Sequence, residues 1–266
     1  MNRPHRSGLL ACVLLLAALA GCSTGPRAAA TQPAVLLLGE HHDNAEGHRL
    51  RLADLQRRID GGWRPAIAME QFDHQDQPRL ERAQRECSDA ACVVHMAAPA
   101  GARWDWPHYL PVIELALRHR LPLLAANLSR ADAGKVVRGG FAAALPQALV
   151  DAEQLHALPA DLLAGQVEAV RIGHCDQLPQ AMLEPMARAQ VARDVIMAGV
   201  LRAHAADGVV LLAGNGHVRR DIGVPHWLRR HDIASHAVGY IERPAQTYDA
   251  SVAIPPLQRP GACAGL

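Results

Sequence analysis

Four side chains with acid–base chemistry follow directly after apolar runs at three separate places in the chain. Glu40 and His42 end the stretch AVLLLGEHH, and Glu70 follows AIAM. His217 ends the stretch LLAGNGH. Two carboxylates and two imidazoles can act as general acids and bases, or they can bind a divalent metal while one glutamate activates water. These four residues are therefore the candidate catalytic set.

Several polar neighbours of this set have simpler interpretations. Side chains alternate along an extended chain, so His41 is expected to point away from the polar residues on either side of it. Asp43 and Asn44 stand where the next helix begins and are expected to cap it. His48 lies on that helix and is expected to face solvent.

The roles expected of Glu70 and His217 depend on their surroundings. Glu70 follows an apolar run, so partial desolvation could raise its pKa to a value suited to acid–base work. Equally, Glu70 could be a buried carboxylate held by backbone amides or by His217. Gly214 and Gly216 flank Asn215 and predict a tight turn that places His217 in the site.

The elements before these residues must position them. Four apolar runs have the length of strands and do not alternate with polar residues: 34–38, 66–69, 121–126 and 209–213. Such runs are typical of strands buried on both faces of a parallel sheet. Segments of helical period separate them, and residues 131–200 show no strand pattern. The sequence predicts an α/β fold with a layered, mostly parallel sheet flanked by helices, and a helical insertion before the last core strand.

Two later segments, ASHAVGYIE and YDASVAI, are expected to extend this sheet at an edge. Each of the four core runs carries polar residues at its carboxyl end, with Asn127 following the third. In open α/β sheets, ligands bind in the crevice outside that edge. The candidate residues are therefore expected to form one composite site at the rim of the sheet.

The first residues predict export and lipid anchoring. Residues 1–21 combine a basic start with a twelve-residue apolar run, too short to span a bilayer and typical of a signal peptide. LAGC, ending at Cys22, matches the bacterial lipobox, in which the cysteine is lipidated; an ordinary signal peptide with a chance cysteine is the alternative. Residues 22–33 then form a tether. Ser23 favours the outer membrane, facing the periplasm, by resemblance to sorted lipoproteins.

Charge excludes one class of partner. The formal net charge of +1 becomes −1 once the two arginines of residues 1–21 are removed, since 25 basic residues then face 26 acidic ones. A near-neutral chain with 3% aromatic residues has no electrostatic footprint for nucleic acid.

Four cysteines remain after the predicted lipidation site. In an oxidising periplasm, Cys87 and Cys92 are expected to close a local disulfide, with Cys175 and Cys263 as a long-range pair. Other connectivities and free thiols stay open, and the spacing matches no standard structural zinc pattern.

Several stretches together resemble the ChaN-like haem-binding lipoproteins. LLGEHHDNAEGH, AMEQF, WPHYLPVIELALRHRLPLLAANLSR, ARAQVARDVIMA, LLAGNGHVRRDIGVPHWL and YDASVAIPP occur in the order of that family. The family belongs to a superfamily that includes TraB, Tiki and erythromycin-esterase proteins. The resemblance covers residues 34–258 and leaves 259–266 as a tail. YDASVAI is a weaker match than the aromatic-rich segment usual in the family.

The resemblance implies haem as a cofactor and a role in haem or iron acquisition. Tyr109 falls on the position of the haem axial ligand, and a phenolate suits ferric iron. Trp104 and Trp106 are expected to form a flat apolar surface beside it, or alternatively to pack the start of a helix on the sheet. Arg130 and Arg219 follow strand ends and could bind the propionates. A homodimer and an outer-membrane haem or siderophore receptor are the implied partners.

Two principal hypotheses follow. The first is a lipid-anchored haem-binding protein whose iron is ligated by Tyr109. The second is a hydrolase of the TraB/Tiki/erythromycin-esterase type that uses the candidate catalytic set, with or without a divalent metal. No nucleophile elbow supports covalent catalysis. A structural lipoprotein with a vestigial rim is a third reading.

Overall fold

The structure, a computed structural model, describes residue 1 and residues 32–99, 101–245 and 247–259. Six strands form one sheet: β1 Val35–Glu40, β2 Ala66–Asp73, β3 Leu123–Asn127, β4 Val209–Gly214, β5 Ser235–Ile241 and β6 Ala250–Ala253. Their order is β3-β2-β4-β1-β5-β6, and every neighbouring pair is parallel. The predicted α/β fold and both late edge strands are confirmed.

Helices cover both faces of the sheet. In the described residues they are α1 Ala45–Asp60, α2 Gln77–Glu86, α3 Ala90–Ala97, α4 Leu110–His119, α5 Arg130–Gly139, α6 Gln147–Ala152, α7 Ala160–Gly173, α8 Gln180–His204 and α9 Val224–Arg229. Helices α5 to α8 form the predicted helical insertion between β3 and β4. None of the described helices is long and apolar enough to cross a membrane.

The sheet separates two hydrophobic cores. Val35 and Leu37 of β1 pack into one core with the insertion helices, and Leu36 and Leu38 pack into the other with α1 to α4. Each core strand is buried along nearly its whole length. This burial on both faces explains why the strands contain apolar runs without alternation.

Two strands extend further toward their carboxyl ends than the sequence predicted. β1 continues through Glu40 and β2 continues to Asp73, beyond the apolar runs that predicted them. β1 extends because Glu40 pairs in register with Gly214 of β4, and β2 reaches Asp73 because Asp73 pairs with Asn127 of β3 after a shift in register. The polar residues of the rim are thereby held by the sheet itself.

The predicted local disulfide is present between Cys87 and Cys92, where it links α2 to α3. The second predicted pair stays a prediction, since Cys263 lies outside the described residues. The signal peptide apart from Met1, the lipidation site Cys22, most of the tether and the tail after Arg259 also lie outside them.

Candidate functional site

Two cavities meet at the carboxyl ends of β1, β2 and β4. The larger cavity has a volume of about 820 Å³, and His42, Glu70, Trp104 and His217 belong to its walls. The smaller cavity, of about 560 Å³, lies against His41 and shares His42 and His217 with the larger one. The four residues predicted from three strand ends are thus brought to one rim, although Glu40 lines only the smaller cavity.

Glu40 is buried and fully engaged by its neighbours. Its Oε1 accepts hydrogen bonds from Nδ1 of His42 at 2.8 Å and from the Tyr109 hydroxyl at 2.6 Å. Its Oε2 forms a buried ion pair with Arg51 of α1. A carboxylate held by three hydrogen bonds in this way orients the groups around it.

The bond to Glu40 fixes the ring of His42. A carboxylate can only accept, so Nδ1 of His42 carries a proton, and in the neutral ring Nε2 keeps its lone pair. The His42 side chain is 47% exposed. Asn44 caps α1 through a bond from the Gly47 amide at 3.0 Å, whereas Asp43 pairs with Arg259.

His48 lies beneath His42, contrary to the expectation that it faces solvent. Its Nε2 donates to the His42 carbonyl at 3.0 Å, and its Nδ1 accepts from Arg51 at 3.1 Å. The ring stacks on His108 with centroids 4.6 Å apart. Burial lowers the pKa of His48 to about 4, so the ring is neutral at pH 7.

A second imidazole–carboxylate pair forms the other side of the site. Nδ1 of His217 lies 2.6 Å from Oδ1 of Asp194 in α8, and Nε2 lies 3.6 Å from Oε1 of Glu70. Gln166 donates to the other oxygen of Asp194 at 2.9 Å. Burial opposes the charged ring, but the carboxylates of Asp194 and Glu70 prevail and raise the pKa of His217. Burial also raises the pKa of Asp194 to about 6.

The pKa of Glu70 is shifted in the direction opposite to the one expected. Burial acts to raise its pKa, as predicted, but His217 and His42 oppose that effect. The amide of Gly214 also donates to Oε2 at 2.7 Å. The net result is a lowered pKa, because these interactions favour the carboxylate form. Glu70 is therefore the buried carboxylate of the alternative interpretation, and it contacts both predicted partners.

Gly214 leaves space where three functional groups converge. A Cβ atom there would lie 3.0 Å from Nε2 of His42 and 3.7 Å from Oε2 of Glu70. We call this space the Gly214 hollow. With Nε2 of His217 close to the other Glu70 oxygen, the hollow is bordered by two imidazoles and one carboxylate. Among the described residues, however, no group of three or more His, Cys, Asp or Glu is placed to hold a metal ion.

The three aromatic residues predicted to bind haem lie in contact, but only Trp104 lines one of the two cavities. Trp104 lines the larger cavity and meets His42 edge-on, with centroids 5.1 Å apart. Trp106 packs on Phe72 and Tyr109 and lines neither of these cavities. Tyr109, at the N-terminus of α4, is 0% exposed and also lies outside both cavity walls. Burial raises the pKa of its hydroxyl.

Several arginines line the wall of the larger cavity. Arg130 is among them, as predicted, whereas Arg219 pairs with Asp221 at 3.0 Å and lines neither cavity. Arg193 donates to the side chain of Asn127 at 2.6 Å. Within the described part of the chain, Arg103 and Arg130 form no ion pair or hydrogen bond. Two cationic groups are therefore available to an anionic ligand.

Sequence reasoning missed Asp194, Arg51 and Arg103. Asp194 stands between Val191 and Ala198 on the buried stripe of α8, three and four residues away. Arg51 stands between Gly47 and Leu55 on the buried face of α1. A charged residue at helical spacing among buried positions was the available signal, since such a charge needs a partner. Arg103 lies in a loop without a pattern.

Comparisons with known proteins agree with this fold. The sequence matches, over residues 27–228, the family described as haem-binding uptake, Tiki superfamily, ChaN. A solved structure titled for cofacial haem binding to ChaN of Campylobacter jejuni is similar, with 20% identity and a TM-score of 0.65, covering 82% of this chain and 86% of that one.

More distant structures are also similar. An erythromycin esterase mutant, EreC, in its open conformation has 14% identity and a TM-score of 0.46 over 82% of this chain and 74% of that one. The type III effector HopBA1 has 13% identity and a TM-score of 0.40, over 82% and 87%. No curated protein matches the sequence. The family match spans well over half of the chain, and the protein therefore belongs to the ChaN family of haem-binding uptake proteins in the Tiki superfamily.

Proposed function

We propose that this protein binds haem in the larger cavity, as a lipid-anchored component of haem or iron acquisition. The observation that carries the proposal is the composition of the cavity wall. It combines an indole, a half-exposed imidazole and two arginines without ion pairs in the described part of the chain: Trp104, His42, Arg103 and Arg130. These groups match the flat apolar ring, the iron and the two propionates of haem.

The volume is consistent with such a ligand. Cavities that bind cofactors usually measure about 300–1,000 Å³, and the larger cavity measures about 820 Å³. A guanidinium can bind a carboxylate through two parallel hydrogen bonds, so each free arginine suits one propionate. When bound, the haem would supply iron that can change its ligands and its oxidation state.

The finer parts of this proposal concern the anchor and the partners. We propose lipidation at Cys22, attachment to the outer membrane facing the periplasm, and delivery of haem to or from an outer-membrane receptor. The Campylobacter protein is titled for cofacial haem binding. By analogy, two copies of this chain would bring two haems face to face in a homodimer.

Ligation by Tyr109 is the remaining part of the resemblance. The hydroxyl would have to leave Glu40, to which it is bonded at 2.6 Å, and become a phenolate against a raised pKa. Tyrosine ligation therefore needs a rearrangement of the start of α4. It stays a prediction with a structural cost.

A titration with ferric haem tests the proposal. Purified full-length protein in detergent is expected to produce a saturable Soret shift at micromolar haem. Arg103→Gln and Arg130→Gln together should weaken haem binding by about tenfold, since two exposed charge-assisted contacts are lost. They should leave binding of haem dimethyl ester unchanged. Arg138→Gln, at the far end of α5, is the matched control.

A Soret shift that does not saturate in the wild-type protein would refute haem binding. An equal loss of affinity for haem and for its dimethyl ester in the double variant, or no loss for haem, would refute the placement of the propionates while leaving haem binding intact.

The Gly214 hollow favours a second candidate function, hydrolysis of an ester or amide. Nε2 of His42 has a free lone pair and can take a proton from water as the water attacks a carbonyl. His217, with its raised pKa, can return a proton to the leaving group. Glu40 and Asp194 each orient one of these rings. One imidazole can thus accept a proton from water while the other donates one to the leaving group.

A panel of nitrophenyl esters and anilides of varied acyl length tests this candidate. Hydrolysis by the wild-type protein should fall by at least about 100-fold in His217→Gln, because general acid–base contributions are of that size. His231→Gln, on a surface remote from the site, is the control. A panel without turnover, or full activity in His217→Gln, would rule the candidate out.

A further inference from the structure

We propose that the amino edge of the sheet carries a binding site for anionic phospholipid headgroups, which holds the protein against the membrane that anchors it. The amino edge is the edge at which the parallel strands begin, opposite the rim that carries the two cavities. The inference rests on the lipid anchoring proposed above and adds the surface that meets the bilayer. A cationic pocket, a strained arginine in its wall and the path of the chain support it.

A separate cavity of about 310 Å³ lies at the amino edge, beside the end of α4 and the start of β3. We call it the basic pocket, and its walls are Glu81, Gln84, Arg85, Leu117, Arg120 and Pro122. Arg85 and Arg120 are exposed, as is Arg118, which follows Leu117. In the part of the chain that the structure describes, the side chains of these three arginines form no hydrogen bond or ion pair. They are therefore available to an anion.

The rest of the wall suits a phospholipid headgroup. Glu81, the acid among the wall residues, accepts a hydrogen bond from Gln77 at 3.1 Å. Leu117 and Pro122 add apolar surface beside the guanidinium groups. Arginine binds phosphate oxygens through parallel charge-assisted hydrogen bonds, and the apolar wall can contact the glycerol carbons. The pocket thus combines the two surfaces that a phosphodiester on a lipid requires.

Arg120 occupies a backbone conformation that favours glycine. It ends α4 at φ 52° and ψ 41°, in the left-handed region, where a side chain costs energy. The Arg120 amide donates to the Leu117 carbonyl and the Leu121 amide to the Ala116 carbonyl, so the backbone itself caps the helix. The guanidinium is not needed for capping. A strained residue with a free charge supports a binding role for that charge.

The chain enters the sheet at the same edge. Gln32 accepts a hydrogen bond at 2.8 Å from Arg58, in the last turn of α1, and β1 begins three residues later. Cys22 precedes Gln32 by 10 residues, so its acyl chains would lie within about 36 Å of Gln32. β3 is three strands from β1, about 15 Å away. The anchor can therefore stay in the bilayer while the basic pocket meets headgroups of the same leaflet.

This orientation has a consequence for the site at the rim. The rim lies about 20 Å from the amino edge, since the core strands rise about 3.3 Å per residue. Docking at the amino edge turns both rim cavities away from the bilayer. The ligand then reaches the rim without crossing the lipid surface.

Chemical labelling of arginines on vesicles tests the site. Full-length lipidated protein is reconstituted in vesicles of phosphatidylcholine, or of an equal mixture with phosphatidylglycerol, and treated with phenylglyoxal. Mass spectrometry measures the labelling of each guanidinium. Labelling of Arg85, Arg118 and Arg120 should fall at least about fivefold in the anionic vesicles. High salt should restore it, because salt screens exposed charges. Arg243, exposed beyond the carboxyl end of β5, is the internal control and should be labelled equally in both.

Variants separate the basic pocket from general charge. Arg118→Gln together with Arg120→Gln should abolish the protection of Arg85, whereas the matched control Arg243→Gln should retain it. Arg120→Gly removes the charge and also relieves the left-handed backbone. It should therefore be at least as stable as the wild-type protein to heat, and yet lose the protection of Arg85. That pairing distinguishes loss of lipid binding from loss of folding.

Each other outcome contradicts the proposal. Equal labelling of the three arginines in both kinds of vesicle would overturn the site, and protection that persists in the double variant would place the contact elsewhere. Equal protection by inorganic phosphate in phosphatidylcholine vesicles would assign the pocket to free phosphate instead of a membrane. Absence of acyl chains on Cys22 would refute the anchor, and the docking with it. Haem binding is judged separately by the Soret titration.

Discussion

The hydroxyl of Tyr109 donates a hydrogen bond to Oε1 of Glu40 at 2.6 Å, across a sequence separation of 69 residues. This contact joins the start of α4 to the end of β1 inside the protein. Because it ends on a buried carboxylate, Tyr109→Phe is expected to lower the free energy of unfolding by about 2 kcal/mol. Urea denaturation followed by circular dichroism measures the change.

Tyr248→Phe is the matched control for this substitution. The Tyr248 hydroxyl bonds to the Asn215 carbonyl at 3.3 Å, a longer contact to a neutral acceptor. Its loss should cost less than about 1 kcal/mol. Equal losses in the two variants would contradict the special strength of the bond to Glu40.

Arg51→Met tests the buried ion pair beneath the site. The guanidinium is 1% exposed and the carboxylate of Glu40 is 0% exposed, so removal of one charge leaves the other buried without its partner. Loss of one partner of a buried pair costs about 3–5 kcal/mol. Thermal and urea denaturation should show a loss of that size.

Arg49→Met, on the exposed side of the same helix, provides the comparison. Arg49 pairs with Glu46 at the surface, where such pairs contribute less than about 1 kcal/mol. Replacing both buried partners, with Glu40→Gln and Arg51→Met together, should recover part of the stability. If the loss of stability in the double variant equalled or exceeded the sum of the losses in the two single variants, the ion pair would not explain the loss.

The buried His48 is expected to destabilise the folded protein as the pH falls. Its pKa is about 4 in the folded protein and near 6.5 in the unfolded chain, so the unfolded chain binds the proton more readily between these values. The stability due to a neutral His48 is complete above pH 6.5 and is lost as the pH falls toward 4. The loss amounts to up to about 3 kcal/mol.

Urea denaturation at a series of pH values measures this component. His48→Gln should be less stable than the wild-type protein at pH 7.5, and the difference should shrink by up to about 3 kcal/mol toward pH 4. His156→Gln, at an exposed position, should follow the wild-type curve in parallel. A constant gap between the wild-type and His48→Gln proteins would disprove the role of His48.

Gly39→Ala tests the close approach of β1 to the turn after β4. A Cβ atom at Gly39 would lie 2.2 Å from Oδ1 of Asn215 and 2.6 Å from a Val218 methyl carbon. Such overpacking costs about 1–3 kcal/mol. Gly216→Ala is the control, since its Cβ atom would meet nothing within 4 Å. Similar melting temperatures for the two variants would show that this approach is not tight.

Much of the fold can be predicted from sequence because its signals are local. Residues 35–38 and 209–213 are uniformly apolar since each of them is buried against one core or the other. The same parallel arrangement places the polar residues after these runs at one rim. Glu40, His42, Glu70 and His217 therefore meet as expected, although only packing reveals that Glu40 is sequestered.

Other features depend on contacts that no local pattern encodes. The buried face of α1 carries His48 and Arg51 beside the apolar Leu55 and Ile59. A charged residue is accommodated there because Glu40, at the end of β1, supplies a partner for the arginine. Tyr109 was expected to face a ligand, and its actual partner is 69 residues away. Polar pairs between residues so far apart in sequence leave no local pattern from which they could be predicted.

The two imidazoles of the site are held by contacts that span very different distances along the sequence. His42, Glu40 and Arg51 belong to one segment, in which the ion pair spans only 11 residues. The other half needs Glu70 to reach Gly214 across 144 residues. Loop closure costs more entropy for distant pairs, so the contacts that orient His42 cost less chain entropy than those that bring Glu70 and His217 together. A change in long-range strand pairing would therefore disturb the His217 side of the site first and leave the local contacts of His42 intact.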